Sequence, residues 1–184
     1  MRRGKRRPWR CALGWALALA LTVLVALALR RWALLPVRVV GASMEPTLLS
    51  GECVLATRFD YLREAPERGD VVLCALPGRE GQYIKRVIGL PGETVRIVSG
   101  QTYIDGQPLA EAYATPADAD FEAALGADEY LVLGDNRPAS YDSREEDIGS
   151  LASSDFLGRV RCVVWPPDRF GSDGLRKRGE SYGG

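Results

Sequence analysis

Histidine is absent from all 184 residues of the chain. That removes a Ser-His-Asp triad, a Cys-His pair and any His-ligated metal site. Hydrolytic chemistry here therefore needs a lysine, a carboxylate or an activated water as its base. Cysteine is scarce: Cys11, Cys53, Cys74 and Cys162 are the whole complement, and none stands in CxxC spacing. A metal cluster has no support in that pattern, and neither metal nor cofactor is expected. Cys53, Cys74 and Cys162 lie in or near strand-like runs and read first as ordinary buried thiols, with a disulfide among them left open. Net charge is missing too, with 24 Lys plus Arg against 24 Asp plus Glu.

That zero conceals a gradient. Arg2, Arg3, Lys5, Arg6, Arg7, Arg10, Arg30, Arg31 and Arg38 all precede the first acid, Glu45, leaving 15 bases against 24 acids beyond them. An acidic domain repels phosphate backbones, so no nucleic-acid partner is expected, whereas the basic N-terminus suits an anionic lipid bilayer face. Charge is also absent from residues 11–29, CALGWALALALTVLVALAL, a run long enough to cross a hydrocarbon core as a helix. Arg30 and Arg31 close the run, and Trp32 stands where an interfacial aromatic belongs. Six bases before the run and three after it favour an N-terminus inside and a C-terminal domain outside. The expected organisation is a basic cytoplasmic segment over 1–10, a transmembrane anchor over 11–32, an extracytoplasmic domain over 37–168 and a flexible tail over 169–184. The rival is a cleaved secretory signal. The run exceeds the usual apolar core of such signals, and Arg30-Arg31-Trp32 occupies the place of a cleavage site.

Beyond Pro36 the pattern turns to short strand-like segments at 52–58, 70–76, 82–88, 93–98, 101–104, 129–133 and 159–165. Turn material bounds them, as at Ser50-Gly51, Pro91-Gly92, Asp105-Gly106 and Gly134-Asp135. Ser99-Gly100 predicts a hairpin. The class is mostly β, a sandwich or barrel-like domain. The Ala-rich, acidic stretch 110–127 reads as a loop with a helical turn.

Four segments stand out, three of them with candidate chemistry. Gly41-Ala42-Ser43-Met44-Glu45-Pro46-Thr47-Leu48 puts a serine after two small residues, where a substrate backbone can approach; alone, such a serine is usually a turn residue. In Tyr83-Ile84-Lys85-Arg86-Val87, strand alternation places Lys85 with Tyr83 and Val87 on an apolar face. Desolvation there lowers a lysine's pKa toward that of a working general base, although a snorkelling surface lysine gives the same pattern. In Gly134-Asp135-Asn136-Arg137-Pro138-Ala139-Ser140-Tyr141-Asp142-Ser143-Arg144, an Asp142–Arg144 salt bridge would leave Ser140 to orient a neighbouring amine; the plain alternative is a polar surface loop. Arg68-Gly69-Asp70-Val71-Val72 reads as structural.

In this order, SMEPTL at 43–48, RGDVV at 68–72, KRVIGLPGE at 85–93 and GDNRPASYDSR at 134–144 resemble the boxes of bacterial signal peptidase I. GRVRCVVWP at 158–166 is similar to that family's closing strand. Each motif is weak alone; the ordered set, behind a single N-terminal anchor and without histidine, is specific. The resemblance implies a coiled-sheet signal-peptidase-like catalytic domain behind one N-terminal transmembrane helix, in the cytoplasmic membrane. It implies Ser43 as nucleophile, Lys85 as general base, Ser140 as the lysine-orienting serine and Asp142 with Arg144 as a supporting pair. It further implies Met44, Leu48, Tyr83 and Ile84 as the lining of a pocket for a small residue before the cut. The implied partners are signal peptides of secreted preproteins and the lipid bilayer, beside the export translocon.

Two departures stand out. Some members carry a serine oxyanion donor two residues before the nucleophile; here Gly41 stands there, so the Ser43 backbone N–H becomes the main expected donor. The stretch between Glu93 and Tyr130 has no room for the extra domain of larger members. Three rivals remain. One is a self-cleaving Ser/Lys protein of the repressor type, whose N-terminal arm is here replaced by an anchor. The second is a conjugation-type or organelle processing peptidase. The third is an inactive tethered β-domain that binds exported chains.

Overall fold

Alanine and leucine dominate the N-terminal run and favour helix, whereas β-branched residues dominate the segments that follow. The structure is a computed structural model that describes residues 8–62, 64–171 and 175. The chain divides into two units, Met1–Leu34 and Leu35–Gly184.

The first unit holds the helix α1 (Pro8–Ala33), with proline at its first position, where the missing N–H is tolerated. Its described side chains, at 14–27, are all exposed, Trp15, Leu17, Leu19, Leu21 and Leu24 among them. Among the described residues, no helix is long and apolar enough to cross a membrane. The anchor expected over 11–32 reaches beyond the described side chains at both ends, and most of the basic 1–10 segment lies outside the described residues.

The second unit is built on two sheets. The first contains β1 (Leu34–Arg38), β2 (Cys53–Thr57), β3 (Val71–Cys74), β4 (Tyr83–Gly89), β9 (Leu131–Leu133) and β10 (Phe156–Trp165) in the order β1-β2-β10-β3-β4-β9. The long β10 inserts between β2 and β3 and pairs antiparallel with both, bending at three register shifts. The second sheet orders β7 (Gln107–Pro108), β6 (Gln101–Ile104), β5 (Thr94–Val98) and β8 (Phe121–Ala124) as β7-β6-β5-β8. β5 and β6 form the expected hairpin, with Ser99 and Gly100 at φ 46° and 80° as a two-residue turn of the right twist demands.

The stretch 110–127 differs from expectation: it contains strand β8, not a helical turn. Phe121 and Ala123 turn inward while Glu122 and Ala124 face out, and pairing with β5 supplies the backbone bonds. Four residues of alternation are too few to stand out in an Ala-rich sequence. Ile88, Leu131 and Leu133 from the first sheet pack with Val95, Ile97, Leu109 and Leu125, so one apolar cluster joins the two sheets. Of the tail expected from 169, Gly171 bridges to Val163 and Leu175 is buried; 172–174 and 176–184 lie outside the described residues.

Candidate active site

β4 presents its side chains to two interiors because both faces of the first sheet are covered there. Tyr83, Lys85 and Val87 face one side, where Val72, Cys74, Val132, Tyr130 and Phe156 form an apolar cluster. Lys85 is 2% exposed, and its Nζ donates to Ser140 Oγ at 2.8 Å. Burial holds the amine below its ordinary pKa of 10.5; the Asp142 carboxylate opposes the shift, and the Arg144 charge adds to it. Cys74 lies opposite Tyr83 in the β3–β4 register, and burial pushes its thiol up to about 12, so it faces the amine as a neutral group.

Ser140 follows a single 3-10 turn at Arg137–Ala139, and its hydroxyl is aimed by the loop behind it. Asp142 is fully buried and accepts from Arg144 Nε at 2.8 Å, Arg144 Nη2 at 3.0 Å and Gly134 N–H at 2.9 Å. Arg144 Nη2 also donates to the carbonyls of Arg137 (2.8 Å) and Ser140 (3.2 Å). The guanidinium thus clamps the backbone on both sides of the turn, and the carboxylate ties that clamp to the end of β9.

Ser43 reaches the same loop through main-chain bonds. Asn136 N–H donates to the Ser43 carbonyl at 3.0 Å, and Asn136 Nδ2 donates to the Ala42 carbonyl at 3.1 Å. Gly134 permits the approach: a Cβ there would collide with Ser140 Oγ and lie 2.5 Å from the Ser43 carbonyl oxygen. Any side chain at 134 would push these two serines apart. Among the described residues neither the Ser43 hydroxyl nor its N–H is engaged in a hydrogen bond, and Ser43 is half-buried. Gly41 has φ +91°, a backbone state that glycine adopts freely and serine does not, so the local turn is in keeping with the departure at this position.

The opposite face of β4 carries a polar knot that the sequence reading passes over. Arg86 is fully buried and pairs through Nε (2.8 Å) and Nη2 (2.7 Å) with the two carboxylate oxygens of Asp135. Its Nη1 donates to the Gly69 carbonyl at 2.9 Å, and its guanidinium lies 4.0 Å from the centre of the Tyr113 ring. The Thr47 hydroxyl donates to Asp135 Oδ2 at 2.5 Å. One ion pair therefore fastens the Ser43 loop, the Lys85 strand, the Arg68-Gly69-Asp70 turn and the Ser140 loop together. Burial works against the Arg86 charge, and the Asp135 carboxylate more than restores it. A second knot joins Arg137, also buried, to Glu111, Thr102 and the Gly134 carbonyl. One signal for Arg86 was available: alternation puts it with Ile84 and Ile88 on the second apolar face of the strand, and an arginine buried there needs a carboxylate. Which carboxylate, local pattern does not say.

The four expected pocket residues separate into two groups. Met44 and Leu48 are buried with Val39, Val54, Leu73 and Leu175, and Ile84 packs on that cluster. Tyr83 belongs to the other face, beside Lys85. Among the described residues no group of His, Cys, Asp and Glu side chains is placed to hold a metal ion.

Comparison with known proteins follows the same residues. A family described as "Signal peptidase, peptidase S26" matches residues 12–165. The chain belongs to that family. Signal peptidase I of Leptolyngbya laminosa is 37% identical over 166 residues, covering 85% of this chain and 81% of that one. Signal peptidase I T of Bacillus subtilis (strain 168) is 35% identical over 167 residues, covering 84% and 86%. A crystal structure of a signal peptidase I from Enterococcus faecalis V583 aligns with TM-score 0.47 and 31% identity, over 52% of this chain and 97% of the other. As a member of the peptidase S26 family with signal peptidase I relatives, the chain is a serine endopeptidase, a hydrolase.

Proposed function

We propose that this peptidase removes N-terminal signal peptides from exported preproteins, cutting after a small-x-small (Ala-x-Ala) site with Ser43 as nucleophile and Lys85 as general base. The observation that carries the reading is the buried Lys85 amine bonded to Ser140 at 2.8 Å, on a loop that also holds the Ser43 backbone. An amine that gives one N–H to Ser140 has its lone pair directed elsewhere. Neutral Lys85 takes the Ser43 proton as the oxygen attacks the scissile carbonyl. The Ser43 N–H stabilises the oxyanion. Protonated Lys85 then gives its proton to the leaving amine, and the signal peptide remains as the acyl group on Ser43. A water, deprotonated by Lys85, hydrolyses that ester and restores the serine.

In this reading Met44, Leu48 and Ile84 line the pocket on one face of β4, and Tyr83, on the other face, stands beside Lys85. Close packing around them favours alanine and rejects bulk. Residues 11–32 anchor the enzyme in the bilayer as a single pass with the N-terminus inside. The exposed apolar side chains of α1 and the charge gradient along the chain support this placement. The catalytic domain then faces outward in the cytoplasmic membrane, beside the export translocon, where the substrate's apolar helix is already held. Confinement to the same membrane raises the effective substrate concentration.

The test is cleavage of an Ala-x-Ala preprotein in detergent by wild type, Ser43→Ala and Lys85→Ala. Cutting at that site by wild type, with both folded variants inactive, is the expected result. Cutting by both variants would remove the dyad. A wild type that never cuts would leave a binding domain in place of a peptidase.

A further inference from the structure

Arg79, Tyr141 and Asp147 form a charged cluster that the reading above does not use. Arg79 lies in the turn before β4, and Tyr141 directly follows Ser140. Arg79 Nη2 donates to the Tyr141 hydroxyl at 2.7 Å and to Asp147 Oδ2 at 2.8 Å. The Tyr141 hydroxyl donates to the other Asp147 oxygen, and the guanidinium stacks 4.6 Å from the Tyr141 ring centre. A second tie holds the same turn: the Tyr83 hydroxyl donates to the Glu80 carbonyl at 3.2 Å. Tyr83 shares the face of Lys85, and Ser140 holds the Lys85 amine, so the turn that precedes the strand and the loop that reaches its amine stand at the same end of β4. The cluster bridges them. Its Arg79 and Asp147 side chains are 45% and 55% exposed, and exposed ion pairs contribute little to fold stability.

We propose that Arg79, Tyr141 and Asp147 are a latch, a set of positioning residues that holds the Ser140 loop against the turn before β4 and so keeps water from the Lys85 amine. The proposal rests on the reading of Lys85 as general base. The groups that face the amine are the Cys74 thiol from β3 and, from the loop after β9, the Ser140 hydroxyl, Asp142 and Arg144; the Asp135 carboxylate acts on it from the opposite face of β4. None of them belongs to the latch. Opening it leaves their charges in place and changes the hydration of the amine. Hydration favours the protonated form, so more alkaline solution is then needed to supply the free base.

The experiment is the pH profile of kcat/KM for the full-length enzyme in detergent on an Ala-x-Ala preprotein, with Arg79→Ala, Asp147→Ala, Tyr141→Phe and Lys85→Ala. Arg79→Ala and Asp147→Ala remove charges of opposite sign. If they acted directly through charge, they would move the acid limb in opposite directions. The latch requires both to move it to higher pH, by about one unit, with about tenfold lower activity below the limb and full recovery above it. Tyr141→Phe moves it the same way by less, and Asp147→Glu restores part of the loss. Limbs that do not move, that move oppositely, or a loss equal at every pH overturn the latch. The control separates the two readings. An active Lys85→Ala removes the general base itself, whereas an inactive Lys85→Ala with unmoved limbs removes only the latch.

Discussion

Replacing Asp135 with alanine tests how the site is held together. The substitution removes a carboxylate that accepts from Arg86 at 2.8 and 2.7 Å and from the Thr47 hydroxyl at 2.5 Å. The two charged side chains are sealed from solvent, at 0% and 1% exposure. Arg86 cannot escape by losing its proton, since a guanidinium stays charged in proteins. Removing one partner of a buried ion pair destabilises by about 3–5 kcal/mol. Total domain stability is about 5–15 kcal/mol, so the loss is severe. At roughly 3–4 °C per kcal/mol for a domain of this size, the melting temperature should fall by roughly 10–20 °C. Activity should fall as well, even where the domain stays folded, because Thr47 stands on the Ser43 loop and loses its anchor. Thermal melting in detergent, followed by preprotein cleavage at low temperature, reads both effects. The double variant Arg86→Met with Asp135→Leu removes the charges together; it should recover most of the stability and little of the activity. A melting temperature within about 2 °C of wild type for Asp135→Ala would refute the reasoning, since it would mean that a sealed, uncompensated guanidinium costs the fold almost nothing.

Gly134→Ala should lower kcat about a hundredfold or more, because its methyl group would displace Ser140 from Lys85 and Ser43 from both; a normal kcat with a folded protein would sink the close-approach argument. Ser140→Ala removes the acceptor of the Lys85 amine and should lower kcat/KM by about tenfold to a hundredfold with the signal-peptide affinity unchanged. Steady-state kinetics on the two variants checks both. The pH profile follows from the sign of the Lys85 shift. Only the neutral amine is a base, so activity rises with pH, and because burial holds its pKa below 10.5 the rise is complete at lower pH than for an exposed lysine. A rate unchanged between about pH 5 and 9 would count against a lysine base. Cys74, fully buried with its thiol pushed up to about 12, should resist alkylation at neutral pH in the native enzyme, while the half-buried Cys53 and Cys162 react; mass spectrometry of the labelled peptides decides this.

Much of the site was legible before any fold was known, because several of its constraints are local. The absence of histidine limits the base to a few residue types. Period-two alternation along 83–87 puts Lys85 on the face of Tyr83 and Val87 whatever the strand pairs with. The strand segments were legible for the same reason, since each carries its own turn residues at its ends. β1, β7 and β8 were not: β1 adjoins the apolar run, β7 has two residues, and β8 is a brief alternation built on alanines, which favour helix over strand. Arg86 and Asp135 show the limit most clearly. They stand 49 residues apart, and Lys85 and Ser140 stand 55 apart. No local rule pairs them. Only the strand order does so: β4 lies between β3 and β9, which brings the loop leaving β9 across β4 and lets that one loop meet Lys85 on one face and Arg86 on the other. The amino-acid sequence by itself therefore determined which residue types were available for catalysis and which face of its strand the lysine takes. The tertiary structure decided which partners those residues meet, because burial of a charge is satisfied by whatever the sheet order brings within hydrogen-bonding distance.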